Sequence, residues 1–297
     1  MCSDRYIRIM RKTIYNVVLA FAITLVGIPN RTVAQTPYPV VPTEDFLVLD
    51  SSMFVLLYEF FQQEDSMKAS DKSRDLLVLE IGEKMSRFYS DNLRRHDSLC
   101  TVLMKRDVSA IPGASEGVYP VDVYKNYAEQ KDIVIQRFPM KGIFMYDDTL
   151  NCIDWKIQED FMDVLGYRCQ KATADFRGRK WIVWFTMDIP LPEGPWKLYG
   201  LPGTILRAKD KQGHYEFVCV EISRKKQPIF RMEHYYYEKS TLRDVQDLEK
   251  KMCLSYYDFI QVIMPGFKNF RKKEGGSMTR EEVNERKKKP YNPIELE

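Results

Sequence analysis

Histidine is scarce in this sequence: His96, His214 and His234 are the only three in 297 residues. They stand far apart, so no HExxH helix or other compact metal motif can be built from them. The six cysteines contain no CxxC pair, which leaves out a zinc knuckle and a thioredoxin-like dithiol. There is no GxxxxGK phosphate loop, no GxGxxG fingerprint and no GxSxG nucleophile elbow. The longest apolar run, Ile14–Ile28, falls short of the roughly 20 residues a membrane-spanning helix needs. Neither sign of charge dominates, with 45 basic and 42 acidic residues.

The N-terminal residues are laid out as a leader. Arg5, Arg8, Arg11 and Lys12 come first, then the apolar run, then "PNRTVAQ" with small residues at Thr32 and Ala34. This order predicts a secretory signal peptide over 1–34, cleaved after Ala34 or Gln35. Cys2 precedes the apolar run and the next cysteine is Cys100, so there is no lipobox. Residues 1–34 hold five of the basic residues and one acid, and their loss turns a net charge of +3 into −1. The mature chain then has no electrostatic case for nucleic-acid binding. About 263 residues remain, enough for one sizeable core. The expected location is secreted or periplasmic, with no membrane span after cleavage.

The chain then reads as many short strands and few helices. Met53–Phe61, Leu76–Gly82, Lys84–Asp91, "DIVIQRFP", "KGIFMYDD", Cys152–Ile157, Tyr167–Phe176 and Lys180–Ile189 carry strand character. "TILRAKD" and "HYEFVCVEI" form a hairpin around Gly213. Asn92–Arg106 is a short amphipathic helix, and a longer one runs from Leu242 to Ile263, capped by Ser240 or Thr241 and stopped by Pro265-Gly266. "SAIPGASEGVYPVD" reads as loop. The expectation is an α+β fold: a predominantly antiparallel, curved β-sheet with a C-terminal amphipathic helix and one short helix. A single domain would cover 35–270, followed by a charged, flexible C-terminal tail over 271–297.

No residue set qualifies as catalytic. Glu159-Asp160 and Asp147-Asp148 look like turns, and the clusters Arg271–Lys273 and Arg286–Lys289 look like a solvated face broken by Glu281, Glu282 and Glu285. Cys152 and Cys169 flank an expected hairpin with its turn near Glu159-Asp160, which makes them a candidate disulfide.

The stretch "PEGPWKLYGLPGTILRAKD" (192–210) is rich in turn residues. Pro202 suits the first central position of a type II turn and Gly203 the second, at positive φ. From Gly166 to Phe217 the sequence resembles the GLPGLI family, secreted proteins of Bacteroidota. The motifs are Gly166-Tyr167 with Cys169, Gly178 with Trp181 and Trp184, Pro190, Gly194-Pro195, and Gly200-Leu201-Pro202-Gly203 followed by Thr204-Ile205. Thr204 stands where the family has Leu, and the ending "PYNPIELE" is also similar. The resemblance implies a leader peptide, a β-rich body and no established activity or cofactor. A weaker similarity, to periplasmic lipoprotein carriers of the LolA type, implies an unclosed half-barrel with helices over its concave face.

These readings lead to a non-enzymatic binding or envelope-accessory module. Its partner would be an apolar ligand, a peptide or an envelope protein. An adaptor without a ligand pocket is the alternative, and an enzyme the third choice. Intact-mass analysis of the exported protein should place its first residue at 35 or 36; a species retaining Met1 in the envelope would contradict this.

Overall fold

The computed structural model describes residues 38–68, 72–106, 112–115, 117–150, 152–233, 237–268, 270–272 and 275–296. The leader, its cleavage site and His234 lie outside the described residues. Thirteen strands form one sheet: β1 (Phe46–Gln63), β2 (Lys72–Gly82), β3 (Met85–Ser90), β4 (Val121–Asn126), β5 (Lys131–Phe138), β6 (Gly142–Thr149), β7 (Lys156–Val164), β8 (Tyr167–Phe176), β9 (Arg179–Thr186), β10 (Thr204–Asp210), β11 (Tyr215–Ser223), β12 (Pro228–Met232) and β13 (Glu238–Lys239). Their order is β13-β6-β5-β4-β3-β2-β1-β11-β10-β9-β8-β7, with β12 paired to the start of β1. Among the described residues only β13 runs parallel to its neighbour, β6; the sheet is otherwise antiparallel, curved and unclosed.

Alternation along the strands decides which face is dry. Leu56, Tyr58 and Phe60 of β1, Leu77, Leu79 and Ile81 of β2, and Trp181, Val183 and Phe185 of β9 all enter one continuous core on the inner face. Every second residue points the same way, so each strand delivers a row of side chains to that core. Four helices accompany the sheet: α1 (Asp91–Lys105), α2 (Leu242–Leu254), α3 (Tyr256–Ile263) and α4 (Arg280–Lys287). Ser90 caps α1, its hydroxyl accepting from the Leu93 amide at 3.0 Å, and Asp91 sits in the first turn. Val245 and Leu248 of α2 and Phe259 and Ile260 of α3 join the inner core. No described helix is long and apolar enough to cross a membrane.

Four expectations need correction. The single helix over Leu242–Ile263 is two, broken at Ser255 (φ −137, ψ 59), so that two short apolar faces reach the sheet instead of one rod of about 33 Å. Val121 and Asp122, read as the end of a loop, open a strand instead, β4 (Val121–Asn126), inside the sheet. The segment beyond 270 does not read as a flexible tail. Thr279 and Glu282 form a capping box for α4, Val283 is buried, and the last residues dock on the sheet. The disulfide between Cys152 and Cys169 is absent, and both are free thiols.

The register explains the last point. The β7–β8 turn lies at Leu165-Gly166, both at positive φ, whereas Glu159-Asp160 lie within β7 at a bulge. Cys169 faces Met162 and Thr173 faces Lys156, which puts Cys152 beyond the opposite end of the pairing.

Cys152 is exposed, while Cys100, Cys169 and Cys219 are buried. Burial pushes the thiols of Cys100 and Cys169 up to about 11 and those of Cys219 and Cys253 up to about 12. Iodoacetamide applied to the native mature protein at pH 8 should therefore alkylate Cys152 first. Peptide mapping that finds Cys169 labelled as fast would refute the register.

Candidate functional site

The loop between β9 and β10, residues 187–203, folds back over the inner face and is held by its own backbone. Gly200 N–H donates to Pro192 O at 3.0 Å, Ile205 N–H to Glu193 O at 2.8 Å, and Thr204 N–H to Ile189 O at 3.0 Å. The Thr204 hydroxyl, at the position where the resemblance departs, donates to the Ile189 and Leu191 carbonyls. Trp196, Leu198 and Leu201 of the loop are buried in the inner core, where Trp196 packs against Trp181 with ring centroids 5.6 Å apart.

The turn differs from the expected type II geometry. Positive φ falls on Gly200 (95°) and on Trp196 (54°), not on Gly203. Gly203 is required for another reason: a Cβ there would overlap the Thr186 carbonyl. The glycine permits close approach of two backbones.

Ion pairs fasten this loop to the far half of the sheet. Lys125 of β4 donates to Glu193 Oε2 at 2.7 Å and to Gly194 O at 2.8 Å, and Tyr127 O–H donates to Glu193 Oε1 at 2.7 Å. Lys125 and Glu193 are 1% and 2% exposed, so each charge depends on the other. Lys197 donates to Asp148 of β6 at 2.8 Å and to Glu295 at 2.5 Å. Arg177, in the β8–β9 turn, also binds Asp148 at 2.7 Å.

The C-terminal residues complete the layer. Arg179, held by Asp210 at 2.9 Å, donates Nε to Ile294 O at 3.0 Å and Nη2 to Asn292 Oδ1 at 2.8 Å. Tyr215 O–H donates to Asn292 O, and Asn292 Nδ2 donates to Gln63 O at 2.8 Å. Residues 291–296 thus run as a strap across the inner side of β1, β9 and β11.

Two carboxyls under this layer titrate abnormally. Burial pushes Asp132 up to about 7, against the pull of Lys125 and Lys197, and its Oδ1 has no partner. Glu249 of α2 is pushed up to about 7 by burial and then by Glu295. Burial would also raise Asp148, but Lys197 and Arg177 outweigh it and hold it low. The outer face carries a separate polar cluster, Arg137 on Asp97 and Arg87 on Asp122, lining a cavity of about 30 Å³. That is about the volume of one water.

Of the residues singled out in the sequence, Pro190, Gly194, Pro195 and Gly200–Gly203 fall in the loop, and Trp181 and Cys169 in the core beneath it. Gly166 and Gly178 turn the β7–β8 and β8–β9 hairpins at φ 80° and 72°. Tyr167 opens β8 and packs against the core, and Trp184 lies half-buried with Arg207 and Lys209 over its ring. Of the groups that fasten the loop, Lys125, Glu193, Lys197 and Arg179 were not among them, and Asp148, read with Asp147 as a turn, lies in β6. Their signal was faint: a lysine inside β4, and a glutamate and a lysine spaced through an otherwise apolar loop.

No family model matches the chain, and no curated protein matches it. Two solved structures of PNGF-II are similar to part of it. The C2 form gives a TM-score of 0.44 at 13% identity, over 67% of this chain and 32% of that one; the P21 form gives 0.41 at 12%, over 67% and 33%. This chain thus spans about a third of the PNGF-II chain.

Two outcomes test the site. In urea unfolding, Gly203→Val should destabilise by about 1–3 kcal/mol or more through overpacking, and Pro202→Ala by only about 0.4–1 kcal/mol. The reverse order would refute the close-approach role. Asp132 binds a proton more tightly folded than unfolded, so its penalty is absent below its unfolded value of 3.8 and complete above about 7. Asp132→Asn should raise the melting temperature increasingly from pH 4 to pH 8, a benefit of up to about 4 kcal/mol. A constant offset across that range would contradict it.

Proposed function

We propose that this chain is an exported, non-enzymatic adaptor of the cell envelope, a GLPGLI-type module that meets other proteins and carries no ligand in its interior. The observation that carries this reading is the occupancy of the inner face. Trp196, Leu198 and Leu201 fill it from the loop, Val245, Leu248, Phe259 and Ile260 fill it from the helices, and the strap closes it. A carrier of apolar ligands needs an apolar hollow with a few polar groups at its mouth. Here the corresponding space is taken up by the protein's own side chains. The curved, unclosed sheet with helices packed on one face also supports the LolA-like half-barrel as its architecture. In that comparison the adaptor keeps the frame and gives up the hollow.

The expected leader supports a location in the periplasm or outside the cell. The test is purification of the native protein from the envelope fraction, followed by organic extraction, mass spectrometry and cross-linking. The adaptor reading expects no stoichiometric lipid and reproducible cross-links to one envelope protein. One equivalent of a co-purified apolar molecule would replace it with the carrier reading.

A further inference from the structure

The strap is bound as a ligand is bound. It adds neither strand nor helix to the sheet, and most of its polar contacts are made to side chains of the body. Arg179 reads the Asn292 side-chain oxygen and the carbonyls of Pro293 and Ile294. Tyr215 reads the Asn292 carbonyl, and the Gln63 carbonyl accepts from the Asn292 amide. Ile294 packs against the core, and Glu295 meets Lys197 at 2.5 Å and Arg177 at 3.7 Å.

The receiving groups are fixed independently of the strap. Asp210, fully buried, holds Arg179, and Asp148 holds both Lys197 and Arg177. Such a cleft keeps its shape when its occupant leaves, which lowers the ordering cost of binding a new one. The tether is the opposite in character. Glu285 to Pro290 are all exposed, and the Lys289 amide on Cys253 O, at 2.8 Å, is a backbone anchor within this stretch.

We propose that the cleft formed by Arg179, Tyr215, Gln63, Lys197 and Arg177 is a peptide-recognition site. Its ligand is an extended segment of a partner protein with the pattern Asn-Pro-aliphatic-Glu, and the chain's own C terminus is the resident occupant that the partner displaces. This rests on the adaptor reading and gives it a mechanism. Asparagine fixes the register, proline limits the conformational freedom lost on binding, and the glutamate is selected by the two cations. The resident segment competes at the high local concentration of a tethered ligand, so only a partner presented at high density or with further contacts gains access.

The experiment uses the full mature chain and a fluorescent peptide, Tyr-Asn-Pro-Ile-Glu-Leu-Glu, followed by anisotropy. Asn292→Ala and Glu295→Gln weaken the strap and leave the cleft intact. Each folded variant should take up the peptide at least about tenfold more tightly than the parent chain, because the tethered competitor is weaker. A peptide with lysine in place of its first glutamate should not bind. The proposal is overturned if a folded variant takes up no peptide, if the lysine peptide binds equally, or if neither variant folds. A dimer that the peptide dissociates would name a second copy's C terminus as the displacing segment and would still support the cleft. The two readings fail separately: cross-links to an envelope protein away from the cleft would keep the adaptor and remove the peptide site, whereas a co-purified apolar ligand would remove the adaptor.

Discussion

Lys197 is the point at which three distant parts of the chain meet. Its ammonium, 2% exposed, lies between Asp148 of β6 and Glu295 of the strap, while its own backbone belongs to the loop after β9. An unpaired buried cation would cost several kcal/mol, so the loop and the far half of the sheet must be in place together, and Glu295 adds a second acceptor when the strap is docked. Lys125 on Glu193 repeats the arrangement from β4. The two pairs turn an otherwise apolar inner face into one with a single allowed docking of the loop. Buried ion pairs contribute little net stability but penalise every misplacement.

The same constraint explains the carboxyls that titrate high. Glu193, Asp148 and Glu295 are each paired with Lys125, Lys197 or Arg177, whereas Asp132 and Glu249 are buried without an ion pair among the described residues. Burial pushes both up to about 7, so each takes up a proton more readily than an exposed carboxylate.

What was legible in the sequence follows the range of the interactions. The hairpin of β10 and β11 came out at the residues expected, because the turn at Gly213 and the flanking alternation are local. So did α1, within one residue at each end, although its cap Ser90 was read as part of a strand. β4 was not found because its first two residues close a Gly- and Pro-rich stretch, and Lys125 inside it is matched by Glu193, 68 residues on. The helix break at Ser255 was lost because the spacing of Leu248, Met252, Tyr256 and Phe259 is the same for one helix or two. The segment from 271 read as solvated because the groups that hold its end, Arg177, Arg179 and Lys197, lie about a hundred residues earlier. Gly203 was identified as necessary, but for a torsional reason where the structure supplies a steric one.

The loop, as part of the core, and the strap, as its tethered occupant, close the inner face as one layer. Hydrogen exchange on the full mature chain tests this most directly. The amides of Gly200, Thr204, Ile205 and Leu296 each donate to a carbonyl of that layer. In the parent protein the three loop amides should be protected to the same degree as β9 and β11, with Leu296 exchanging sooner as the strap opens. Exchange of Gly200 and Thr204 within seconds, while β9 and β11 stay protected, would contradict the account.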